Sequence, residues 1–232
     1  MPDINFPEAQ PPLSYACGAY ALTAALKAYV PVTTTPYPIK LKHLQMPTTE
    51  ITINGTENNK DLADKIYQIT GDLEISGPPT ALVFSYKLAP NLSNSPSALA
   101  YVAKQYGRTV TVNVIKGFKS RSNMCQAVAD DLLKKLPGEV LRCVPNATVN
   151  APGGTGVSDG MPYTAPANDE VQLLCVMNSD HSMHWLARGA NGFYDPGDAS
   201  IASVWPAIAV NADSAMTMTG GYTFTGIWMV LK

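Results

Sequence analysis

The sequence predicts one α+β domain over residues 1–232, in which a central amino-terminal helix packs against a carboxy-terminal antiparallel sheet. Helical patterns occupy mostly the first 136 residues, and strand patterns dominate from residue 170 onward. No internal repeat and no sharp linker divides the chain. With 232 residues, of which 46% are hydrophobic, the chain is long enough to bury a single core.

The first two helices follow from their apolar patterns and end signals. Residues Ser14–Val30 predict a helix that Ser14 caps and Pro31 stops, with small or apolar residues on nearly all sides. A helix that is apolar all round belongs at the centre of a domain. After a Pro/Thr-rich loop, the chain shows an extended stretch through residues 51–53, a turn at residues 54–56 and a second helix over residues 59–70, which Gly71 ends.

Beyond the second helix, further helices alternate with strands until the sheet takes over. The stretch from Asn146 to Asp169 is rich in Gly, Pro and Ser and predicts a loop, which at that length is usually a functional flap or a mobile segment. The other predicted elements are helices over residues 97–106 and 122–136 and strands over residues 108–115, 139–144, 170–177, 183–188, 192–195 and 222–232.

Charge and composition exclude several classes of protein. The chain has 16 Lys and Arg against 18 Asp and Glu, and this near-neutral balance argues against a nucleic-acid binder. The apolar content rules out disorder for most of the chain. The start, MPDINFPEAQ, lacks the basic and apolar regions of a signal peptide, and no apolar run is long enough for a membrane span. We therefore expect a soluble protein that is cytoplasmic, or secreted without a Sec signal peptide.

The spacing of the four cysteines does not indicate a disulfide-dense scaffold or a metal site, and it favours a reducing compartment or at most one or two disulfide bridges. Cys17, Cys125, Cys143 and Cys175 include no CxxC pair, and the last three lie among apolar neighbours in predicted helices or strands. Core packing explains those three better than metal binding does. We expect no metal ion and no cofactor.

Cys17 is the first candidate for chemistry because it lies about one turn inside the predicted central helix. Free amides and the positive end of the helix dipole favour a thiolate there. Gly18, directly after it, leaves room for a substrate to approach the sulfur. The alternative is that Cys17 is a small buried core residue, as free cysteines often are.

The second candidate is the pair His184 and Asp195, on two strands that the Gly189–Gly192 turn joins into a hairpin. Any register that pairs residue 184 with residue 195, or with a position two away from it, puts both side chains on one face of the sheet. A carboxylate beside an imidazole orients a general base. A register shifted by one residue separates them, and His184 is then an ordinary bonded histidine. His181, in the preceding loop, is the competing base.

Gln10 lies seven residues before Cys17 in a Pro-flanked segment. Its amide and the backbone N–H of Cys17 could form an oxyanion hole, in which each donor contributes about 3 kcal/mol to stabilising the transition state. A solvated loop residue is the alternative.

Together, Gln10, CGAYAL at 17–22, HWLA at 184–187 and YDPG at 194–197 resemble the Gln, Cys, His and Asp-Pro pattern of papain-like cysteine peptidases. The chain is most similar to the bacterial peptidases that cut double-glycine leaders and to the cysteine-protease effectors that pathogens inject into host cells. The resemblance implies a papain-like fold with Cys17 as nucleophile, His184 as general base and acid, Asp195 as orienting group and Gln10 as oxyanion donor. It also implies a protein or peptide substrate that is hydrolysed through a thioester acyl-enzyme.

Two other functions fit the same residues. An amidase on bacterial wall peptides, a deamidase or a transglutaminase would use the same machinery, because neither fold nor triad chooses the substrate. A non-catalytic binding domain that kept the fold is an alternative of a different class.

Overall fold

The computed structural model describes residues 1–29, 37–43, 50–71, 74–76, 83–85, 94–114, 148–150, 163–177, 183–202 and 222–232. Three helices and eleven strands lie in these segments. The helices are α1 (Cys17–Ala28), α2 (Asn59–Thr70) and α3 (Pro96–Gln105). The strands are β1 (Ile39–Lys42), β2 (Glu50–Ile53), β3 (Glu74–Ser76), β4 (Val83–Ser85), β5 (Val110–Val114), β6 (Thr148–Asn150), β7 (Val171–Met177), β8 (Met183–Gly189), β9 (Gly192–Asp195), β10 (Ser200–Ala202) and β11 (Thr223–Leu231).

Seven of these strands form the main sheet, in the order β10-β9-β8-β7-β11-β5-β6. Neighbouring strands run antiparallel, except for β5 and β6, which are parallel. Two small antiparallel sheets, β1-β2 and β3-β4, complete the described strands. The centre of the main sheet comes from the carboxy-terminal part of the chain, so the predicted α+β class is confirmed.

Helix α1 is the central helix that the sequence predicts. All of its residues from Cys17 to Leu26 are buried, because small and apolar side chains surround it on every side. It packs against β7 and β8 of the main sheet and against α2. The hydroxyl of Tyr20 donates a hydrogen bond of 2.8 Å to Oδ1 of Asp64, which joins α1 to α2.

Tyr29 ties the carboxy-terminal end of α1 to the sheet. Its hydroxyl donates to the carbonyl oxygen of Leu231 in β11 and accepts a 2.9 Å hydrogen bond from the backbone N–H of Val171 in β7. The guanidinium of Arg108 lies over the Tyr29 ring, 4.2 Å from its centroid. These contacts fix the end of α1 opposite the end that begins at Cys17.

The start of α1 differs from the prediction. The helix begins at Cys17 with Ala16 in the capping position and without a side-chain cap, so the predicted capping role of Ser14 is wrong. The backbone N–H of Ser14 instead bonds the carbonyl oxygen of Pro11 in a turn, and Leu13 adopts a left-handed φ of 60°. Because this turn is not helical, the helix cannot begin at Ser14, and Cys17 is its first residue.

The two other described helices have the end signals that their sequences contain. Helix α2 has the predicted bounds, and its amino-terminal cap is Asn58, whose side chain accepts from the N–H of Asp61. Helix α3 is capped by Ser95 and begins with Pro96, one residue earlier than predicted. In the described segments, no helix combines the length and the apolar character that crossing a membrane requires.

Between residues 115 and 170, the sequence predicts a helix, a strand and a long loop, and the structure describes only part of this range. The loop predicted from Asn146 to Asp169 is wrong at residues 148–150, which form β6 and pair with β5 in parallel. A three-residue strand of Thr, Val and Asn is too short for its alternation to be visible in the sequence. The predicted helix over 122–136, the strand over 139–144, Cys125 and Cys143 lie outside the described residues.

The amino-terminal residues before Gln10 lie along the β8–β9 hairpin. The side chain of Asn191, in the hairpin turn, accepts from the N–H of Ile4 at 2.8 Å and donates to its carbonyl oxygen at 2.7 Å. The backbone N–H of Ala190 donates to the carbonyl oxygen of Pro2, and the hydroxyl of Tyr194 donates to the backbone carbonyl oxygen of Glu8. The segment therefore holds the hairpin at several points along its length.

Candidate active site

Cys17 lies at the amino terminus of α1 and is largely buried, with 6% of its surface exposed. The first backbone bond of the helix runs from the N–H of Tyr20 to the carbonyl oxygen of Ala16. The amides of residues 17–19 therefore have no acceptor within the helix, and they point out of its end. This end carries the positive pole of the helix dipole, next to the sulfur.

Gly18 has a different role from the predicted one. A Cβ atom at Gly18 would lie 2.5 Å from Cβ and 2.6 Å from Oδ1 of Asn94, a buried residue just before α3. The space beside Gly18 is thus filled by Asn94 and does not lead a substrate to the sulfur. Glycine is required here because the chain before α3 packs directly on the first turn of α1.

His184 and Asp195 meet on the β8–β9 hairpin. The described register pairs Ala187 with Tyr194 and Arg188 with Phe193, so paired residue numbers add up to 381. Extending that register would place residue 184 opposite residue 197, two away from 195, and His184 and Asp195 share a face. The Nε2 atom of His184 lies 2.7 Å from Oδ1 of Asp195, and the side chains are 10% and 16% exposed.

Cys17 acts on the same imidazole, because its hydrogen bonding and its charge both raise the pKa of His184. Because Nε2 of His184 is bonded to Asp195, the other ring nitrogen, Nδ1, is the one left for the sulfur. Burial alone would lower the pKa of His184, but the hydrogen bonds and charges of Asp195 and Cys17 raise it to about 9. The imidazole is therefore held as a cation at neutral pH, between a carboxylate and the sulfur.

Asp195 is held in its charged form by several donors. Burial raises the pKa of Asp195, but the bond and charge of His184 outweigh it, and the net pKa is lowered. The backbone N–H of Gly197 donates to Oδ1 at 2.8 Å, and the hydroxyl of Tyr222 donates to Oδ2 at 2.9 Å. Both carboxylate oxygens are thereby engaged, and the carboxylate has a fixed orientation toward the imidazole.

Two residues near this cluster were not anticipated from the sequence. Tyr222 stacks on His184, with the ring centroids 5.3 Å apart and the planes 12° from parallel. Asn94 accepts a hydrogen bond from Nε1 of Trp185 through its carbonyl oxygen and donates its side-chain amide to the carbonyl oxygen of Tyr15. Asn94 thus joins the strand that carries His184 to the residues just before Cys17.

Gln10 is attached to the turn that follows Asp195. Its backbone N–H donates to the carbonyl oxygen of Pro196 at 2.8 Å. The Oε1 atom of its side chain is buried and has no hydrogen-bond partner among the described residues. A half-turn of the amide would bring its NH₂ group to the same position, so the side chain has a free buried polar group. Its proposed role as an oxyanion donor stays a prediction.

The other cysteine and histidine candidates lie in the core or outside the described residues. Cys175 is fully buried in β7, as expected of a core residue. His181, the competing base, lies outside the described residues. Within the described segments, no group of three or more His, Cys, Asp or Glu side chains is arranged to hold a metal ion.

Comparison with known proteins gives one match. The family model described as "Invasion plasmid antigen J, cysteine protease" matches residues 9–232 of the chain. This range includes Gln10, Cys17, His184, Asp195 and Tyr222. No curated protein and no solved structure matches the chain.

Proposed function

The chain belongs to the invasion plasmid antigen J family of cysteine proteases, and on that premise we propose that it hydrolyses peptide bonds with a triad of Cys17, His184 and Asp195. The observation that carries the proposal is the 2.7 Å hydrogen bond between His184 and Asp195, together with the interaction of Cys17 with the same imidazole. Cys17 lies at a helix amino terminus, where a thiolate is favoured.

In the proposed reaction, the Cys17 thiolate attacks the carbonyl carbon of the scissile peptide bond and forms a tetrahedral intermediate. His184 then donates its Nδ1 proton to the leaving nitrogen, the C–N bond breaks, and an amine leaves behind a thioester on Cys17. A water molecule attacks the thioester while His184 takes up one of its protons. The C–S bond breaks, the carboxylic acid product leaves, and the thiolate and imidazolium are restored.

The negative charge of the tetrahedral intermediates needs donors close to the sulfur. The backbone N–H of Cys17, free at the start of α1, is one such donor. The side chain of Gln10 is the second in this proposal, which is supported by the bond of its backbone N–H to Pro196 and by the buried Oε1 atom that has no partner among the described residues. Each donor of this kind contributes about 3 kcal/mol to the transition state.

The substrate is a protein or peptide, as the family implies. A near-neutral chain with 16 basic and 18 acidic residues attracts substrates weakly at long range. We therefore propose that shape and apolar contacts around the active site select the sequence that is cut. Action as a bacterial effector inside a host cell is the biological role that best fits the family's name.

The proposal predicts that Cys17 is an activated nucleophile. Iodoacetamide at about pH 6 should alkylate Cys17 faster than a model thiol, because the adjacent imidazolium favours the thiolate. The rate should fall in His184→Ala. Cys175→Ala is the matched control, because this second described cysteine is fully buried and should not contribute to the labelling. Labelling of Cys17 no faster than the model thiol would favour a non-catalytic binding domain.

Substrate class is tested by incubating the protein with a proteome-derived peptide library and, separately, with purified peptidoglycan. Cleavage in the library that disappears in Cys17→Ala supports the peptidase, whereas products only from the wall peptides indicate an amidase. His184→Ala should lower kcat/KM by several orders of magnitude and His181→Ala by much less. The reverse ranking would assign the base to His181.

A further inference from the structure

Tyr222 contacts two of the three members of the proposed triad. Its ring lies nearly parallel to the imidazole of His184, with 5.3 Å between the centroids and 12° between the planes. Its hydroxyl donates a hydrogen bond of 2.9 Å to Oδ2 of Asp195. The residue just precedes β11, a strand separated from β8 in the sheet by β7. A side chain from outside the hairpin thus reaches both His184 and Asp195.

The hydroxyl of Tyr222 determines how the Asp195 carboxylate is turned. Oδ1 accepts from His184 in β8 at 2.7 Å and from the N–H of Gly197, in the turn that follows β9, at 2.8 Å. In the part of the chain that the structure describes, Tyr222 is the partner of Oδ2. A carboxylate with donors on both oxygens cannot rotate about its own axis without breaking a hydrogen bond, so Oδ1 stays aligned with Nε2.

The ring of Tyr222 determines the plane of the imidazole. Offset stacking of two flat rings restricts rotation about the bond that carries the imidazole. It also covers one face of His184, whose side chain is only 10% exposed. During the proposed reaction, the proton on Nδ1 must pass from the direction of the sulfur to the leaving nitrogen, and an imidazole that leaves its plane loses that alignment.

We propose that Tyr222 is a positioning residue for peptide hydrolysis, whose hydroxyl orients the Asp195 carboxylate and whose ring orients the His184 imidazole. The inference rests on the proposed triad, because Tyr222 acts through His184 and Asp195 and is not assigned any contact with substrate. The contributions of the hydroxyl and of the ring can be separated by two substitutions. Tyr222→Phe removes the hydroxyl and keeps the ring, whereas Tyr222→Leu removes both.

Kinetics of the two variants give the first test. Tyr222→Phe should lower kcat by about tenfold with KM unchanged, which is the loss expected for one hydrogen bond to a charged group. Tyr222→Leu should lower kcat further, to about a hundredth of the original value, because the imidazole is then free to turn. Equal kcat values for the original protein and both variants would overturn the proposal, as would a change confined to KM.

Tyr163→Phe is the matched control for a purely structural effect. The Tyr163 hydroxyl also donates a hydrogen bond on the main sheet, to Oε1 of Gln172 at 2.7 Å, and its ring packs against Trp228. Its removal should lower the melting temperature and leave kcat unchanged. Should Tyr163→Phe lower kcat as much as Tyr222→Phe does, the effect of Tyr222 is one of general stability and the proposal is wrong.

A spectroscopic readout separates this inference from the proposed function. In the proton NMR spectrum, the Nε2 proton of His184 should be protected from exchange with water, because it is shared with Asp195. Faster exchange is expected in Tyr222→Phe and in Tyr222→Leu, but not in Tyr163→Phe. This measurement needs no activity. If Cys17→Ala keeps full activity, the proposed triad fails, while unchanged exchange in Tyr222→Phe refutes the positioning role independently. Tyr222→Phe preserves the shape of the side chain, so it decides the question even where Tyr222→Leu does not fold.

Discussion

The hydrogen bonds of His184 determine where its protons lie. Nε2 is 2.7 Å from Oδ1 of Asp195, so the proton on Nε2 is donated to the carboxylate and Nδ1 is the ring nitrogen left to interact with Cys17. Burial lowers the pKa of His184, and the bonds and charges of Asp195 and Cys17 raise it to about 9. The partners outweigh burial, which means that the histidine is already charged at neutral pH. A charged imidazole is the form that can protonate a leaving amine.

The alkaline limit of activity should therefore report His184. We expect kcat/KM to fall on the alkaline side with an apparent pKa of about 9, where the imidazolium loses its proton. Asp195→Asn removes the charge that raises the pKa of His184, so the alkaline limb should move to lower pH. Its maximum rate should fall as well, because an amide fixes the imidazole less well than a carboxylate does. A pH profile of kcat/KM for each protein measures both effects.

Asp198→Asn is the control for that shift. Asp198 lies in the turn that follows Asp195. Its side chain accepts a hydrogen bond from the N–H of Ser200, and the residue is exposed. Neutralising it changes the net charge by the same amount as Asp195→Asn, but it removes no hydrogen bond to His184. In Asp198→Asn, the apparent pKa of the alkaline limb of kcat/KM should not change. An equal shift in both variants would mean that overall charge, and not the hydrogen bond, determines the limit.

The sequence could predict the pair His184 and Asp195 because both residues belong to one hairpin. Side-chain alternation needs only the parity of the register, and the turn at Gly189–Gly192 nearly determines that parity. Tyr222 and Asn94 could not be predicted in this way. Tyr222 reaches His184 across β7, and its position depends on the pairing of β7 with β11, strands far apart in the chain. Asn94 lies 76 residues after Gly18, and no local pattern connects the two.

At the scale of elements, the amino-terminal segment and the hairpin form one unit with the site. Asn191 bonds both backbone groups of Ile4 at the turn, and the N–H of Gln10 bonds Pro196 at the other end. Phe6, between these points, is buried with its ring edge against Tyr194. The segment therefore braces the strand that ends at Asp195 along its whole length.

Removal of the Asn191 side chain should loosen this brace. Asn191→Ala deletes two hydrogen bonds, and we expect the free energy of unfolding to fall by about 1–3 kcal/mol. Amide hydrogen exchange should accelerate at Ile4, Ala190 and Gln10, whose N–H groups bond across the contact. Chemical denaturation gives the first quantity, and exchange measured by mass spectrometry or NMR gives the second.

Two variants decide whether the effect belongs to those hydrogen bonds. Asn191→Asp keeps the acceptor for the N–H of Ile4 and loses the donor to its carbonyl oxygen, so its stability should lie between that of the original protein and that of Asn191→Ala. Asn5→Ala changes an exposed neighbour in the same segment and should have little effect. If the amide of Gln10 exchanges in Asn191→Ala at the same rate as in the original protein, the contacts at Ile4 and at Gln10 hold the segment independently of each other.

Elements with strong local signals were predicted well. The bounds of α2 follow from its apolar face and from Gly71, and the strand patterns at 170–177, 183–188, 192–195 and 222–232 agree with β7, β8, β9 and β11 to within one residue. The sequence places the start of α1 at Ser14, three residues too early, because serine is a common amino-terminal cap of helices. The turn closed by Pro11 and Ser14 removes that option, and its left-handed residue is Leu13, which carries no sequence signal for such a conformation.

At the scale of the whole molecule, the order of strands in the sheet differs from their order in the chain. β11, the last strand, lies between β7 and β5, and β5 pairs with β6 in parallel. Such pairings bring distant parts of the chain together. Hydrophobic alternation predicts that the strands exist, but it contains no information about their neighbours. This is why the fold class was predictable and the topology was not.

Histidine titration links the core to overall stability, and His43 provides the clearest case. The residue directly follows β1 and is 2% exposed, with Nε2 3.1 Å from the carbonyl oxygen of Gly71 at the end of α2. Burial lowers the pKa of His43 below its ordinary value of 6.5, although the bond to Gly71 opposes the change. The folded protein therefore favours the neutral imidazole, whereas the unfolded chain takes up a proton near pH 6.5.

We expect the folded state to lose stability as the pH falls below about 6.5, because the unfolded state binds a proton that the folded state does not. The loss from His43 is at most about 1.4 kcal/mol per pH unit and ends once the pH is below the folded pKa. His43→Gln keeps a donor for Gly71 and cannot titrate, so its unfolding free energy should fall less between about pH 7 and about pH 5. Urea denaturation of both proteins across this range measures the difference, which cancels the contributions of carboxylates common to both. Parallel curves for the two proteins would show that His43 takes up its proton equally in the folded and unfolded states, and burial would then have no part in the acid sensitivity of the fold.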